Sequence, residues 1–191
     1  MSNQLKFALR RSCRQVRERL SPASQQAAST RICARIRALD QYRYARRIAL
    51  YQATNGEIDL QAIWNSAPLH GKYCYFPVLN DDKTLLFLPA TPATAFSENR
   101  YGIKEPNVDK ALAIPPQQLD LIFLPLVVFD DYGTRLGMGA GYYDRTLAKR
   151  EHSGLIGVAY EFQRYPYIEP SIWDVPLTAV ITPNTIYWSK K

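Results

Sequence analysis

The sequence predicts an α/β fold in three layers, a mostly parallel sheet sandwiched between helices. Two observations lead to it. Residues 120–129, DLIFLPLVVF, are apolar at nearly every position, as a strand covered on both faces in the middle of a parallel sheet must be. Extended segments also alternate with helical ones along the chain, the order that builds such a sheet. At 191 residues the chain is expected to form one domain, 1–191, large enough to bury a real core.

The elements follow in order. Leu5, Leu9, Cys13, Val16 and Leu20 recur at helical spacing, so residues 4–19 read as a helix. Lys6, Arg10, Arg14 and Arg17 fall on an adjacent basic stripe. Ser21-Pro22 opens a second helix, with serine suited to cap free amides and proline to the first helical position. That helix runs to about Leu39. RRIALYQ (46–52) reads as a buried strand, 57–66 as helical, and 72–79 and 84–90 as extended. Residues 91–118, rich in Pro, Thr, Asn and Ala, read as a long loop of the kind that often carries function. After 120–129 come a glycine-rich segment, a helix from about Tyr142 to Arg150, strands at 154–160 and 178–183, and a closing TIYWS.

Charge is uneven. Residues 1–50 hold twelve Lys or Arg against two acids, whereas the rest of the chain holds twelve bases against fifteen acids. A basic N-terminal lobe on a mildly acidic body suits an anionic partner; nucleic acid, a phosphorylated nucleotide and a polycarboxylate all fit. The three cysteines, Cys13, Cys33 and Cys74, are far apart and the two histidines isolated, which argues against structural zinc and for a reduced, cytoplasmic setting. No signal peptide is read at the N-terminus, and no apolar run is long enough to span a bilayer.

Four of the nine glycines lie in FDDYGTRLGMGAGYYDR, residues 129–145, at the expected carboxyl end of the central strand. Ligands of open α/β sheets sit there. Glycine permits positive φ and close approach of backbone to ligand, and successive amides can converge on an anion. Arg135 can grip phosphate in a bidentate manner, and Asp144, one turn into the following helix, can hold a magnesium ion bridging phosphate oxygens. The GxGxG spacing of Gly137, Gly139 and Gly141 is neither the GxGxxG of dinucleotide folds nor a Walker A loop. The alternative is a tight structural turn.

This segment resembles the signature of the 5-formyltetrahydrofolate cyclo-ligase family, also called 5,10-methenyltetrahydrofolate synthetases. Further blocks resemble the family in the expected order, from about residue 6 to 183. They are the N-terminal helix with Lys6 and Arg10, Asn55-Gly56-Glu57-Ile58-Asp59, Tyr101-Gly102-Ile103-Lys104-Glu105-Pro106, Leu119 through Pro125, Phe129-Asp130, and Trp173-Asp174-Val175-Pro176-Leu177. Many members carry a basic residue in the glycine loop where Met138 and Ala140 stand, and a histidine where Trp173 stands.

The resemblance implies the fold shared by ribose-phosphate isomerases and CoA transferases. It also implies the reaction of 5-formyltetrahydrofolate and ATP to 5,10-methenyltetrahydrofolate, ADP and phosphate, with Mg²⁺, through a phosphorylated formyl group. Lys6, Arg10, Arg135, Leu136, Gly137, Met138, Gly139, Ala140, Gly141, Tyr142 and Tyr143 would bind ATP. Gln52, Glu57, Tyr101 and Tyr142 would bind the folate, Asp144 and Asp174 the metal, and Arg135, Tyr143 and Asp144 would carry the chemistry. The expected partners are these small molecules, with no nucleic acid and no membrane, for a monomer in the cytoplasm. The competing expectations are an ATP-dependent enzyme acting on another heterocycle, which would keep the phosphate loop and alter the Glu57 and Tyr101 regions, and a basic nucleic-acid-binding module.

Overall fold

The computed structural model describes residues 1–148 and 154–190. The chain begins with α1 (Asn3–Glu18), α2 (Pro22–Ala38) and α3 (Asp40–Tyr44), then β1 (Arg47–Ala49) and α4 (Gln61–Ser66). There follow β2 (Tyr73–Leu79), β3 (Leu85–Pro89), β4 (Phe96–Glu98), β5 (Lys104–Pro106), β6 (Leu121–Pro125), β7 (Val128–Phe129) and β8 (Arg135–Leu136). Then come α5 (Tyr142–Leu147), β9 (Leu155–Val158), β10 (Ala179–Ile181) and β11 (Ile186–Trp188). Serine caps both long helices: Ser2 Oγ accepts from Leu5 N and Ser21 Oγ from Ser24 N, each satisfying an amide that the first turn leaves bare.

Seven strands form the main sheet in the order β11-β10-β9-β6-β1-β2-β3. The five inner strands run parallel, and β11 and β3 add antiparallel edges. The fold is therefore α/β with a mostly parallel sheet. β6 sits at its centre, where Leu121, Ile122, Phe123 and Leu124 are all buried. Each such side chain contributes roughly 1.5–3 kcal/mol of burial.

Alternation along the strands divides the core. Ile48, Cys74, Phe76, Leu121, Phe123, Ile156 and Val158 face α2, α3 and α4, meeting Ile32, Cys33, Ile36, Tyr42, Ile63 and Trp64. Ala49, Tyr75, Ile122, Leu124, Leu155 and Val180 face the other way. The expected second helical layer is thin there. Leu147 of α5 covers part of that face, and the rest is closed by Leu119, Leu126, Phe129, Val175 and Leu177, all of them outside helices.

Three further expectations are revised. The run 120–129 is two strands: β6 ends at Pro125, which has no N–H to continue a ladder, and β7 pairs with β8 as a separate hairpin. The helix expected over 57–66 begins only at Gln61. The loop 91–118 contains the β4–β5 hairpin, with Tyr101 at its tip. The end of the helix expected to reach Arg150 lies outside the described residues. α1 packs off the sheet: Leu9 and Cys13 lie against Val127, Val128, Leu136 and Ile168, beside the β7–β8 hairpin. That position carries α1 to the carboxyl ends of the parallel strands.

Candidate active site

A cleft of about 1070 Å³ opens at those carboxyl ends. Tyr51 and Gln52 line it after β1, Pro77 and Leu79 at the end of β2, and Pro125 and Leu126 at the end of β6. Every site residue expected from the sequence lies on its wall: Lys6, Arg10, Gln52, Glu57, Tyr101, Arg135, the 136–141 loop, Tyr142, Tyr143, Asp144 and Asp174.

The glycine loop leaves its donors open. Among the described residues the backbone N–H groups of 137–141 have no acceptor, while three carbonyls of the same stretch are engaged. Gly137 O accepts from Arg10 Nε at 2.8 Å, Ala140 O from Arg145 Nη2 at 2.6 Å, and Gly141 O from Arg145 N at 3.1 Å. Engaged carbonyls beside unbonded amides suit an anion.

The glycines have separate reasons to be there. Gly133 turns the β7–β8 hairpin at φ 84°, where a Cβ would lie 2.6 Å from Leu177 O. That loop is set by Asp130, whose Oδ1 accepts from Tyr132 N and Thr134 N and whose Oδ2 accepts from Ile168 N. Gly139 and Gly141 have φ of 103° and 71°. Gly137 has neither a positive φ nor any atom within 4 Å of a would-be Cβ. It borders only open cleft.

Arg135 is buried and donates through Nη2 to Asp144 Oδ1 at 2.7 Å and through Nη1 to Val175 O. Val175 N also donates to Asp144 Oδ1 at 3.2 Å, so the second carboxylate oxygen has no partner among the described residues. Asp174 Oδ2 accepts from Ser171 N at 2.8 Å, and Lys6 Nζ lies 3.5 Å from Ser171 Oγ. Burial lowers the Arg10 pKa, and the nearby Asp174 carboxylate opposes that shift. Trp173 stands exposed on the rim beside Asp174.

The donor set fits a magnesium ion shared with phosphates. Among the described residues no group of three or more His, Cys, Asp or Glu could enclose a metal. Magnesium commonly takes only one or two carboxylates plus phosphate oxygens and water, which Asp144, with an open oxygen, and Asp174 can supply.

At the other end, Glu57 lies in a turn rather than at a helix start. Asn55 and Gly56 have φ of 49° and 74°, and Glu57 N donates to Thr54 O at 3.0 Å, as in a type I′ turn, for which Asn-Gly is the favoured pair. Thr54 N donates to Glu57 Oε2 at 3.1 Å, and Arg17 Nη1 stands 3.6 Å from Glu57 Oε1. Burial pushes the Glu57 pKa up, and Arg17 opposes the rise. Burial, with Glu57 next, likewise raises Tyr51 and Tyr143. At the mouth, Arg100 Nη2 donates to Tyr142 Oη at 2.8 Å and Arg145 lies over the Tyr142 ring. Hydrogen bonding with Tyr101, then Arg100, lowers the Tyr142 pKa.

Sequence reasoning missed Arg17, Arg100 and Arg145. Arg17 belongs to the basic stripe of α1, yet it is only 2% exposed. Its spacing of seven from Arg10 puts both on one helical face, a signal that could have found it.

The pattern of the 5-formyltetrahydrofolate cyclo-ligase family matches residues 2–183. The chain is 36% identical over 185 residues to a 5-formyltetrahydrofolate cyclo-ligase of Haemophilus influenzae, covering 95% of this chain and 99% of that one. It is 36% identical over 178 residues to the Escherichia coli protein of that name, covering 91% and 98%. The solved 5,10-methenyltetrahydrofolate synthetase of Aquifex aeolicus superposes with a TM-score of 0.85 at 29% identity, over 98% of this chain and 94% of that one. With residues 2–183 matched and its cleft built from the matched segments, the chain belongs to the 5-formyltetrahydrofolate cyclo-ligase family.

Proposed function

We propose that the protein converts 5-formyltetrahydrofolate and ATP to 5,10-methenyltetrahydrofolate, ADP and phosphate. Family membership supports the folate assignment, and the unbonded amides of 137–141, in the wall of a cleft shared with Lys6, Arg10 and Arg135, support the use of ATP. The Glu57 turn and the Tyr101 hairpin both border that cleft, which favours folate over another heterocycle. The parallel sheet with its cleft at the strand ends also suits the architecture shared by ribose-phosphate isomerases and CoA transferases.

The formyl oxygen is a poor leaving group. Its attack on the terminal phosphorus of ATP expels ADP and leaves an iminium-like phosphate. Nitrogen 10 then attacks the formyl carbon, phosphate departs, and nitrogen 10 loses its proton as the ring closes. The chain's task is to align the groups and neutralise charge. Lys6 and Arg10 face the polyphosphate, and the 137–141 amides receive the transferring group. Arg135 acts as a fixed positive charge that also orients Asp144, because its donors are largely taken by Asp144 and Val175. Asp144 and Asp174 would hold magnesium, which when bound neutralises phosphate charge. Glu57, with Gln52, accepts hydrogen bonds from the pterin, while Tyr101, Tyr142 and Tyr143 enclose it and the formyl group.

Purified protein with Mg-ATP and 5-formyltetrahydrofolate should develop the near-ultraviolet absorbance of the methenyl product. An unchanged spectrum with intact ATP binding would assign the site to another heterocycle.

A further inference from the structure

Arg17 is the most buried cation among the described residues, at 2% exposure. Its guanidinium reaches two separate parts of the molecule from α1. Nε donates to Asn55 O at 2.9 Å, Nη1 donates to Leu126 O at 3.4 Å, and Nη1 stands 3.6 Å from Glu57 Oε1. One side chain thus ties the helix to the turn after β1 and to the chain just past β6.

That turn needs holding. Two successive residues, Asn55 and Gly56, have positive φ. A Cβ at Gly56 would approach Arg17 O to 2.9 Å, so the turn lies directly on the α1 backbone. From the other side Tyr160 Oη donates to Gly56 O at 2.9 Å. The Glu57 carboxylate then emerges with one oxygen toward Arg17 and the other toward Thr54. A buried cation requires both a counter-charge and acceptors for its donors; here the counter-charge is a carboxylate on the cleft wall.

We propose that Arg17 is a positioning residue for the heterocycle end of the cleft. It fixes the turn and the orientation of Glu57 and has no part in holding the nucleotide. The inference rests on the proposed folate and ATP sites. α1 therefore serves the two substrates with two different residues. Arg10 bonds Gly137 in the phosphate loop, and Arg17, two turns further on, bonds the Glu57 turn. Seven residues separate them by about 10.5 Å along the helix.

The test crosses two variants with two ligands. Calorimetry would measure binding of 5-formyltetrahydrofolate and, separately, of a non-hydrolysable ATP analogue with Mg²⁺, to the wild type, Arg17→Lys and Arg10→Ala. Arg17→Lys keeps the charge but loses the fork that spans Asn55, Leu126 and Glu57. It should weaken folate binding at least tenfold and raise the folate KM, with analogue affinity within twofold of wild type. Arg10→Ala should show the reverse. Equal losses for both ligands in Arg17→Lys, or none, would overturn the proposal. A double-mutant cycle gives a second reading. Once Glu57→Gln is present, Arg17→Met should cost little further folate affinity; full additivity would also overturn the proposal. A wild type that binds the analogue but no folate would remove the folate reading on which it stands.

Discussion

Arg135 and Asp144 form a 2.7 Å ion pair on the cleft wall, with side-chain exposures of 5% and 26%. The arginine is thus part of the fold as well as a candidate for the chemistry, and its variants must be chosen accordingly. Arg135→Ala would leave Asp144 without its counter-charge, and breaking a buried pair costs roughly 3–5 kcal/mol. Loss of turnover in that variant should come with a large fall in Tm. Arg135→Lys keeps the charge but not the fork that bonds both Asp144 and Val175 O; it should separate the two effects, with a smaller Tm change than Arg135→Ala and a turnover loss of about 100-fold, the scale of a misplaced catalytic group. Asp144→Asn should lower turnover with partial recovery at raised Mg²⁺, measured by steady-state kinetics across a magnesium titration.

The glycines of the 133–141 segment should respond differently to the same methyl group. At Gly133 it would strike Leu177 O, so Gly133→Ala should lower Tm most. At Gly139 the space is open but φ is 103°, and forcing a side chain there costs on the order of 1–3 kcal/mol. At Gly137 neither penalty applies. Gly137→Ala should melt within a degree or two of wild type and yet bind Mg-ATP about tenfold more weakly, because its methyl group occupies the space beside the open amides. Thermal melts paired with nucleotide titration of the three variants check this ranking. Unchanged nucleotide affinity in Gly137→Ala would count against phosphate lying against this stretch.

The sequence made β6 legible because a run of buried apolar residues suits a strand covered on both faces of a sheet; the equally buried run 126–129 lies outside the main sheet, which apolarity alone does not tell apart. The glycine loop was legible from composition alone. The second face of the sheet was not. Val175, Leu177 and Leu119 cover it from irregular chain, and irregular chain carries no periodicity to read. The β7–β8 hairpin was hidden because its turn, 130–134, merged with the glycine cluster that follows. Arg17 was hidden by the ordinary expectation that a charged stripe is solvated. The tertiary positions of Glu57, Asn55 O and Leu126 O supply the counter-charge and the acceptors that burial of that cation requires.

Away from the cleft, Asp131 accepts two hydrogen bonds from Arg164, at 2.7 and 2.6 Å, and one from Lys190 at 3.2 Å. Arg164 foremost, with Lys190, holds its carboxyl down at about 2, against an ordinary value of 3.8. A depressed folded pKa stabilises the fold above the unfolded value and loses that contribution as pH falls through about 2. Asp131→Asn should therefore cost about 1 kcal/mol near neutrality, the scale of a partly exposed ion-pair network. The Tm difference from wild type should shrink steadily below pH 4. A difference that stays constant down to pH 2 would mean that the stability comes from packing rather than charge.

Glu57 has the opposite sign. Burial raises its pKa above the ordinary 4.5, and Arg17 pulls back only part of the rise. The other titratable groups facing it, Tyr51, Tyr143 and Tyr160, are phenols that stay neutral at working pH, since burial foremost raises each. A raised folded pKa means that the native protein holds this proton more tightly than the unfolded chain. Its stabilising contribution is therefore present below the unfolded value and lost as pH rises through the folded one. Function runs the other way, because accepting hydrogen bonds from a pterin requires the ionised carboxylate. Folate affinity should fall as pH drops through a midpoint above that of an ordinary glutamate. Arg17→Lys should move the midpoint higher still, because the lysine keeps the charge but cannot reproduce the fork that places it beside Glu57. Glu57→Gln should flatten the acidic limb and bind folate at a weaker, nearly constant level. A pH series of folate titrations on the three proteins decides it. An acidic limb that survives unchanged in Glu57→Gln would assign the titration to the ligand or to another group and detach Glu57 from the pterin.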